Sequence, residues 1–201
     1  MEDKQLTNQQ SLDLITRMIN DTRRNFNDKG GSMFLIWGYT TIAVTIGVYI
    51  LFRATRSGDA MWAWWALPLI GGILTWLHYR KYKRPVQSHL DKMVNSVWLV
   101  FTSACMACVL FTFGAYAAGN GPYFSILFVI SLLIGVTTAI TGFMIKFTPV
   151  TIGGFAGIVL SFLILVFNRE QFFIFAGIFF IAQVIPGHIL NRYCKKESQR
   201  A

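Results

Sequence analysis

The sequence predicts an all-α membrane protein: a bundle of six transmembrane helices in three sequential hairpins, preceded by an amphipathic N-terminal helix. Of its 201 residues, 54% are hydrophobic and only 13% are charged, whereas soluble domains average about one-quarter charged residues. Residues 93–145 form a run of 53 without Asp, Glu, Lys or Arg, and only Gly-Asn-Gly-Pro at 119–122 interrupts its apolar character. Because one span needs about 20 apolar residues, this run predicts two membrane helices joined by a tight turn.

The N-terminal segment, residues 1–32, is polar and is predicted to be cytoplasmic, with an amphipathic helix over residues 11–29. One face of that helix repeats at steps of three and four residues: Leu12, Ile15, Ile19, Thr22 and Phe26. Gly30 and Gly31 are expected to end the helix, since glycine favours helix C-termini. The favoured interpretation is that the helix lies along the membrane surface with its arginines near anionic headgroups; the open alternative is that it docks a partner protein.

Six apolar segments follow and make up a predicted transmembrane domain at residues 33–190. They cover about residues 33–52, 60–77, 94–117, 123–145, 149–167 and 171–190. Short polar turns separate them, as expected where backbone groups in lipid must be satisfied inside each helix. Pro149 is placed in a first helical turn, where its missing N–H costs no hydrogen bond. Residues 191–201 complete the chain as a basic cytoplasmic tail.

The distribution of basic residues predicts the orientation. One side collects the N-terminal segment, the connection between the second and third helices, Lys146 and the C-terminal tail, and holds 15 of the 18 Lys and Arg residues. The other side holds Arg53, Arg56 and Arg169. The positive-inside rule places both termini in the cytoplasm. Since the net charge of +9 crowds at helix ends, no nucleic-acid partner is predicted.

Small residues predict packing faces in four of the helices, including Ala43 and Gly47 in the first and Gly71–Gly72 with Thr75 in the second. Gly153 and Gly157 form a GxxxG in the fifth helix, and Gly135 and Gly142 belong to a small-residue face in the fourth. Such faces let helix backbones approach closely in lipid. They predict packing within the chain, with a homodimer or a partner membrane protein as the alternative.

Polar groups inside the predicted spans are few. The candidates for lining a ligand site are Thr137, Thr138, Thr141, Gln183 and His188. Hydroxyl and amide groups can bind a neutral ligand, whereas ion coupling usually needs acids or bases within the membrane. Pro186 and Gly187 are expected to kink the sixth helix or, as the favoured interpretation, to end it.

Residues typical of catalysis or cofactor binding do not form a recognised constellation. Cys105 and Cys108 form a C-x-x-C in mid-helix and are interpreted as small apolar residues, with redox or metal chemistry as the open alternative. His78 and His188 lie near the cytoplasmic ends of their helices, and we expect that they could approach one another. The sequence therefore predicts no cofactor, no metal and no enzymatic activity.

Two short segments resemble small integral membrane proteins of Bacteroidetes-type bacteria: Gly-Gly-x-x-Phe-Leu-x-Trp-Gly at 30–38 and Ile-Pro-Gly-His-Ile-Leu-Asn at 185–191. This resemblance implies the inner membrane of a bacterium and no particular activity. In size and helix count the chain is also similar to the substrate-binding subunits of energy-coupling-factor vitamin transporters.

Three hypotheses for function follow, of which the third, a membrane enzyme acting on lipid or quinone, would have to use the histidines at the cytoplasmic interface. The leading one is a non-enzymatic accessory or regulatory membrane protein that works through packing and interaction in the bilayer. The alternative is a transporter or substrate-capture subunit for a neutral, apolar or aromatic small molecule.

Overall fold

The computed structural model describes residues 8–56, 58–81, 89–120 and 124–198, with residues 8–30, 59, 197 and 198 described by their backbone only. All regular structure in these ranges is helical, which confirms the all-α prediction. The predictions for residues 1–7, for the basic connection at residues 82–88, for Gly121, Pro122 and Tyr123 between the third and fourth segments, and for residues 199–201 lie outside the described residues.

Eight α-helices follow one another within the described ranges. They are α1 Asn8–Thr55, α2 Ala66–Lys81, α3 His89–Ala117, α4 Ile126–Ile145, α5 Thr148–Ser161, α6 Leu163–Val166, α7 Gln171–Phe179 and α8 Ile185–Ser198. A 3₁₀ helix, Gly58–Trp65, leads into α2, and a shorter one, Asn168–Glu170, leads into α7. A π-helical turn, Phe180–Val184, joins α7 to α8.

Six helical stretches in the described part of the chain are long and apolar enough to cross a membrane, which confirms their predicted number. They are Gly31–Thr55, Ala60–Lys81, His89–Ala117, Ile126–Ile145, Thr148–Val166 and Asn168–Lys196. The second stretch begins as a 3₁₀ helix rather than an α-helix.

The prediction that Gly30 and Gly31 end the first helix is wrong, because α1 runs unbroken from Asn8 to Thr55. A glycine inside a helix costs only about 1 kcal/mol relative to alanine, which tertiary packing can offset. Gly31 is buried, and a Cβ there would lie 3.0 Å from the carbonyl oxygen of Gly187 and against the side chain of Asn191. This glycine therefore admits the close approach of α8.

The prediction that Pro186 and Gly187 end the sixth span is also wrong, because α8 continues to Ser198. Proline has no N–H to offer the carbonyl four residues earlier. The helix accommodates this loss just upstream, where the N–H of Ile185 bonds to the carbonyl of Phe180 five residues back. The distortion is thus a π turn before the proline, and most of the predicted tail is helical.

The closest pair of helices is α4 and α5, which follow one another in the chain. Lys146 stops α4 in a left-handed conformation (φ 52°), and Pro149 lies in the first turn of α5, as predicted. A Cβ on Gly154 would lie only 2.6 Å from the Cα of Ala139, and one on Gly142 only 2.8 Å from the Cα of Thr151. Glycine thus lets the two backbones touch along their length.

The core consists of two apolar clusters with a polar layer between them. One cluster joins Phe34, Val94, Ile145, Val150, Leu190 and Cys194; the other joins Leu127, Ile134, Ile164, Phe175, Ile178 and Phe179. The helix α1 contacts α2, α3, α4, α7 and α8, whereas α2 and α3 do not contact one another within the described residues. Among the described residues, α1 packs mainly against α8, α7 and α2, whereas α3 packs mainly against α4. The stretches that contain α2 and α3 are the least buried of the six, so these two helices lie on the outside of the bundle.

Candidate functional site

The structure divides the five predicted ligand-lining residues into two groups. Thr137, Thr138, Thr141 and Gln183 are buried in the interior, whereas His188 lies on the outer face of α8. Along α4, the threonines fall between Ile134 of one apolar cluster and Ile145 of the other. The four interior residues therefore belong to the polar layer of the core.

Gln183 is the centre of this polar layer. Its Nε2 donates a hydrogen bond to Thr138 Oγ1 at 2.7 Å, and both residues are 0% exposed. Gln183 lies in the π turn, so the distortion required by Pro186 also sets the position of this side chain. The Oε1 atom of Gln183 and the Oγ atom of Ser131 are buried and accept or donate no hydrogen bond within the described residues.

The hydroxyl of Thr141 binds its own helix. Thr141 Oγ1 donates to the carbonyl of Thr137 at 2.8 Å, one helical turn back. Such a back-bond satisfies the hydroxyl without reaching another helix. Thr138 Oγ1 therefore joins α4 to the π turn through Nε2 of Gln183, while Oε1 of Gln183 is a buried acceptor with no partner among the described residues.

His188 belongs to an open groove between α1 and α8. Its Nε2 lies 2.8 Å from the hydroxyl oxygen of Tyr39, and the two rings meet edge to face at 6.0 Å. The groove has a volume of about 410 Å³ and is lined by Tyr39, Phe180, Val184, Ile185, His188, Ile189 and Arg192. It thus combines an apolar wall with one hydrogen-bonded pair and one cation.

Glycines bring the two walls of this groove together. A Cβ on Gly38 would lie 2.9 Å from Val184 Cγ2, and a Cβ on Gly187 would lie 3.0 Å from Phe34 Cβ. Together with Gly31, these residues bring α1 and α8 close enough for Tyr39 to reach His188. Sequence reasoning missed Tyr39 and Arg192 as members of a site, although the i, i+4 spacing of His188 and Arg192 does place them on one helix face.

The predicted packing glycines of the fourth and fifth helices lie inside the chain, whereas the prediction for Gly47 and Gly72 is wrong, because both are exposed and a Cβ there would meet nothing within 4 Å. Gly135 and Gly142 of α4 face α5, where a Cβ on Gly135 would lie 2.7 Å from the backbone nitrogen of Ile158. Gly153 and Gly157 face the last span: a Cβ on Gly153 would lie 2.7 Å from Pro186 Cγ, and one on Gly157 3.2 Å from Ala182 Cβ. The GxxxG is therefore covered by the chain's own helices.

The remaining predicted groups stay apart. His78 lies on α2, which does not pack against α8 within the described ranges, whereas His188 contacts Tyr39 of α1. Cys105 and Cys108 lie on α3, each half-buried, and are free thiols. In the part of the chain that the structure describes, no three His, Cys, Asp or Glu residues come close enough to hold a metal ion.

Comparisons with protein-family models, with curated proteins and with solved structures find no match to this chain.

Proposed function

We propose that this chain is a non-enzymatic accessory protein of a bacterial inner membrane that binds a partner through the cytoplasmic extension of α1. The six apolar helices support membrane insertion, and so does their exterior. Large apolar side chains face outward around the bundle: Leu99, Val100, Val159 and Val166, for example, are each about two-thirds exposed or more. An apolar exterior of this extent suits lipid better than water.

The charges support an orientation with both termini in the cytoplasm. The described ends of α2 and α8 carry Arg80, Lys81, Lys195 and Lys196, and the turn after α4 carries Lys146. In a chain of six alternating spans, all these residues would lie on one side and Arg169 on the other. Lys and Arg near span ends are the residues that determine orientation.

The single observation that carries the proposal is the continuity of α1. The 23 residues from 8 to 30 precede the apolar stretch without a break in the helix, and at 1.5 Å per residue they extend it by about 35 Å. A helix lying flat on the membrane surface would need a bend where it enters the bilayer. Continuity therefore supports the docking interpretation of the amphipathic segment.

The sequence of this extension indicates what it binds. Leu12, Ile15, Ile19, Thr22 and Phe26 repeat at alternating steps of three and four residues. That spacing is typical of a seam that packs against another helix. The partner is accordingly an amphipathic helix, supplied by a second protein or by a second copy of this chain.

Membrane placement is tested by cysteine labelling in a variant that lacks the three native cysteines. Asn120→Cys and Lys196→Cys are exposed positions at opposite ends of the bundle. A membrane-impermeant maleimide should label Asn120→Cys in spheroplasts and Lys196→Cys only after permeabilisation. The reverse result would overturn the proposed orientation, and labelling of both in spheroplasts would overturn insertion.

Partner binding is tested by site-specific photo-cross-linking in native membranes. A photoreactive residue at Ile15 or Ile19 should give a discrete cross-linked product, whereas the same residue at Asn20, which neighbours Ile19 but lies off the seam, should not. Mass spectrometry of the product then distinguishes a second copy from another protein. Equal cross-linking at all three positions, or none at any, would refute the docking role.

A further inference from the structure

We propose that the groove between α1 and α8 binds one anionic phospholipid of the cytoplasmic leaflet, with its phosphate at Arg192. The inference rests on the proposed membrane placement and is independent of the proposed partner. Three features of the groove support it: the composition of its lining, its length, and its opening toward the outside of the bundle.

The composition matches an amphiphile with an acidic head. Arg192 is the cation among the seven lining residues, which include no acid, and four of the seven are aliphatic or phenyl side chains (Phe180, Val184, Ile185 and Ile189) besides Tyr39. A guanidinium binds a phosphate through two parallel N–H···O bonds and does so better than an ammonium. Arg192 therefore suits the phosphate, and the apolar wall suits an acyl chain.

The length of the groove matches one leaflet. Phe180 and Arg192 are separated by 12 residues, which at 1.5 Å per residue corresponds to about 18 Å. Half of a hydrocarbon core that is about 30 Å thick measures about 15 Å. A lipid whose phosphate contacts Arg192 at the cytoplasmic surface would thus lay its acyl chain along α8 as far as the π turn.

The groove is open on the side where lipid would be. Phe180 is 47% exposed, and Ile185 and Ile189 are each 41% exposed. A lipid can therefore enter from the surrounding leaflet without a passage through the protein. The cytoplasmic leaflet is the one in which anionic headgroups and juxtamembrane basic residues attract one another.

Tyr39 and His188 contribute polar groups to the lining of the groove. In the tautomer with its proton on Nδ1, the imidazole accepts from the Tyr39 hydroxyl at Nε2 and retains one N–H donor. His188 lies one helical turn from Arg192, on the same face of α8. In that tautomer His188 has an N–H available for the lipid's ester or phosphate oxygens.

Native mass spectrometry of the full chain, released from detergent containing phosphatidylglycerol and phosphatidylcholine in equal amounts, tests the inference. We expect one phosphatidylglycerol to be retained in preference to phosphatidylcholine. Arg192→Gln should weaken its retention about tenfold, as the loss of hydrogen bonds to a charged group implies. The matched control is Arg80→Gln, which removes the same charge from α2 and should leave retention unchanged.

A second pair of variants tests the apolar wall. Ile189→Trp should fill the groove and displace the lipid, whereas Ile152→Trp, on the outward face of α5 (63% exposed), should not. Inorganic phosphate in excess should not displace the lipid, because the acyl chain contributes to binding. The inference is overturned by equal retention of both lipids, by equal losses in Arg192→Gln and Arg80→Gln, by displacement with phosphate alone, or by full retention in Ile189→Trp.

These results are separable from those for the proposed function. Failure of insertion would appear in the maleimide labelling, and failure of partner binding in the cross-linking, and neither readout depends on Arg192.

Discussion

Replacing glycine by alanine at two helical positions should change stability in opposite directions. Gly154 of α5 and Gly47 of α1 both lie inside apolar helices, and alanine is favoured over glycine in a helix by about 1 kcal/mol. At Gly47 nothing lies within 4 Å of the added methyl group. We therefore expect Gly47→Ala to stabilise the protein by about 0.5–1 kcal/mol.

At Gly154 the same methyl group meets the backbone of α4. It would lie 2.6 Å from the Cα and 2.8 Å from the Cβ of Ala139, whereas carbon atoms pack best at about 3.5–4.0 Å. A backbone atom cannot rotate away, so α4 and α5 must separate by roughly 1 Å and lose dispersion contacts along the pair. Overpacking of this kind costs about 1–3 kcal/mol, which exceeds the gain in helix propensity.

Reversible unfolding in mixed micelles, followed by tryptophan fluorescence, measures both variants. We expect Gly154→Ala to be less stable than Gly47→Ala by about 2 kcal/mol. Gly72→Ala on α2, where again nothing lies within 4 Å, is a second control and should behave like Gly47→Ala. If Gly154→Ala proves as stable as the two controls, the close contact of α4 with α5 is refuted.

Two further predictions concern the last span. Thr138→Val should destabilise the protein by about 1–2 kcal/mol, because it leaves the amide of Gln183 buried without its partner. Gln183→Met should change stability by less. Adding Thr138→Val to Gln183→Met should then cause no further loss of stability. Thr141→Val, which removes only a bond to the same helix, should change the free energy of unfolding by no more than about 0.5 kcal/mol. A double-mutant cycle in the same micelle assay measures the coupling of Thr138 and Gln183. Additive effects of Thr138→Val and Gln183→Met would contradict this account. Gly153→Ala should destabilise the wild-type protein, where Pro186 Cγ would lie 2.7 Å from the added methyl group. The loss of stability should be much smaller in a Pro186→Ala background. An equal loss in both backgrounds would show that Pro186 does not set this contact.

The sequence by itself determined the class of fold and the number of apolar helices. Lipid requires each spanning segment to satisfy its own backbone and to present apolar side chains, so composition within about 20 consecutive residues is sufficient evidence. Local turn chemistry was equally readable at Pro149, whose place in the first turn of α5 follows from its missing N–H. The predicted orientation also depends only on local charge counts and stays a prediction for the labelling experiment.

The tertiary structure decided how glycine and proline are used. Gly31 is compatible with the end of a helix or with the close packing of a second helix. In the structure α1 continues through Gly31, and α8 packs against it. Pro186 could have ended the last span, but the π turn upstream absorbs its missing hydrogen bond and carries Gln183 to Thr138. At both residues, the local sequence is compatible with a helix that ends and with a helix that continues. Packing against another helix supplies the free energy that favours continuation.

The groove was likewise decided by tertiary contact. Tyr39 and His188 are separated by 149 residues in the chain, and no periodicity within one helix indicates which face of another helix it will meet. Their meeting depends on Gly38 and Gly187, which let α1 and α8 approach. Sequence composition thus determined that the helices are apolar. Which polar groups share a site was determined by how the small residues of different helices fit together. Between apolar helices in lipid, close packing rather than hydrophobicity selects the partners.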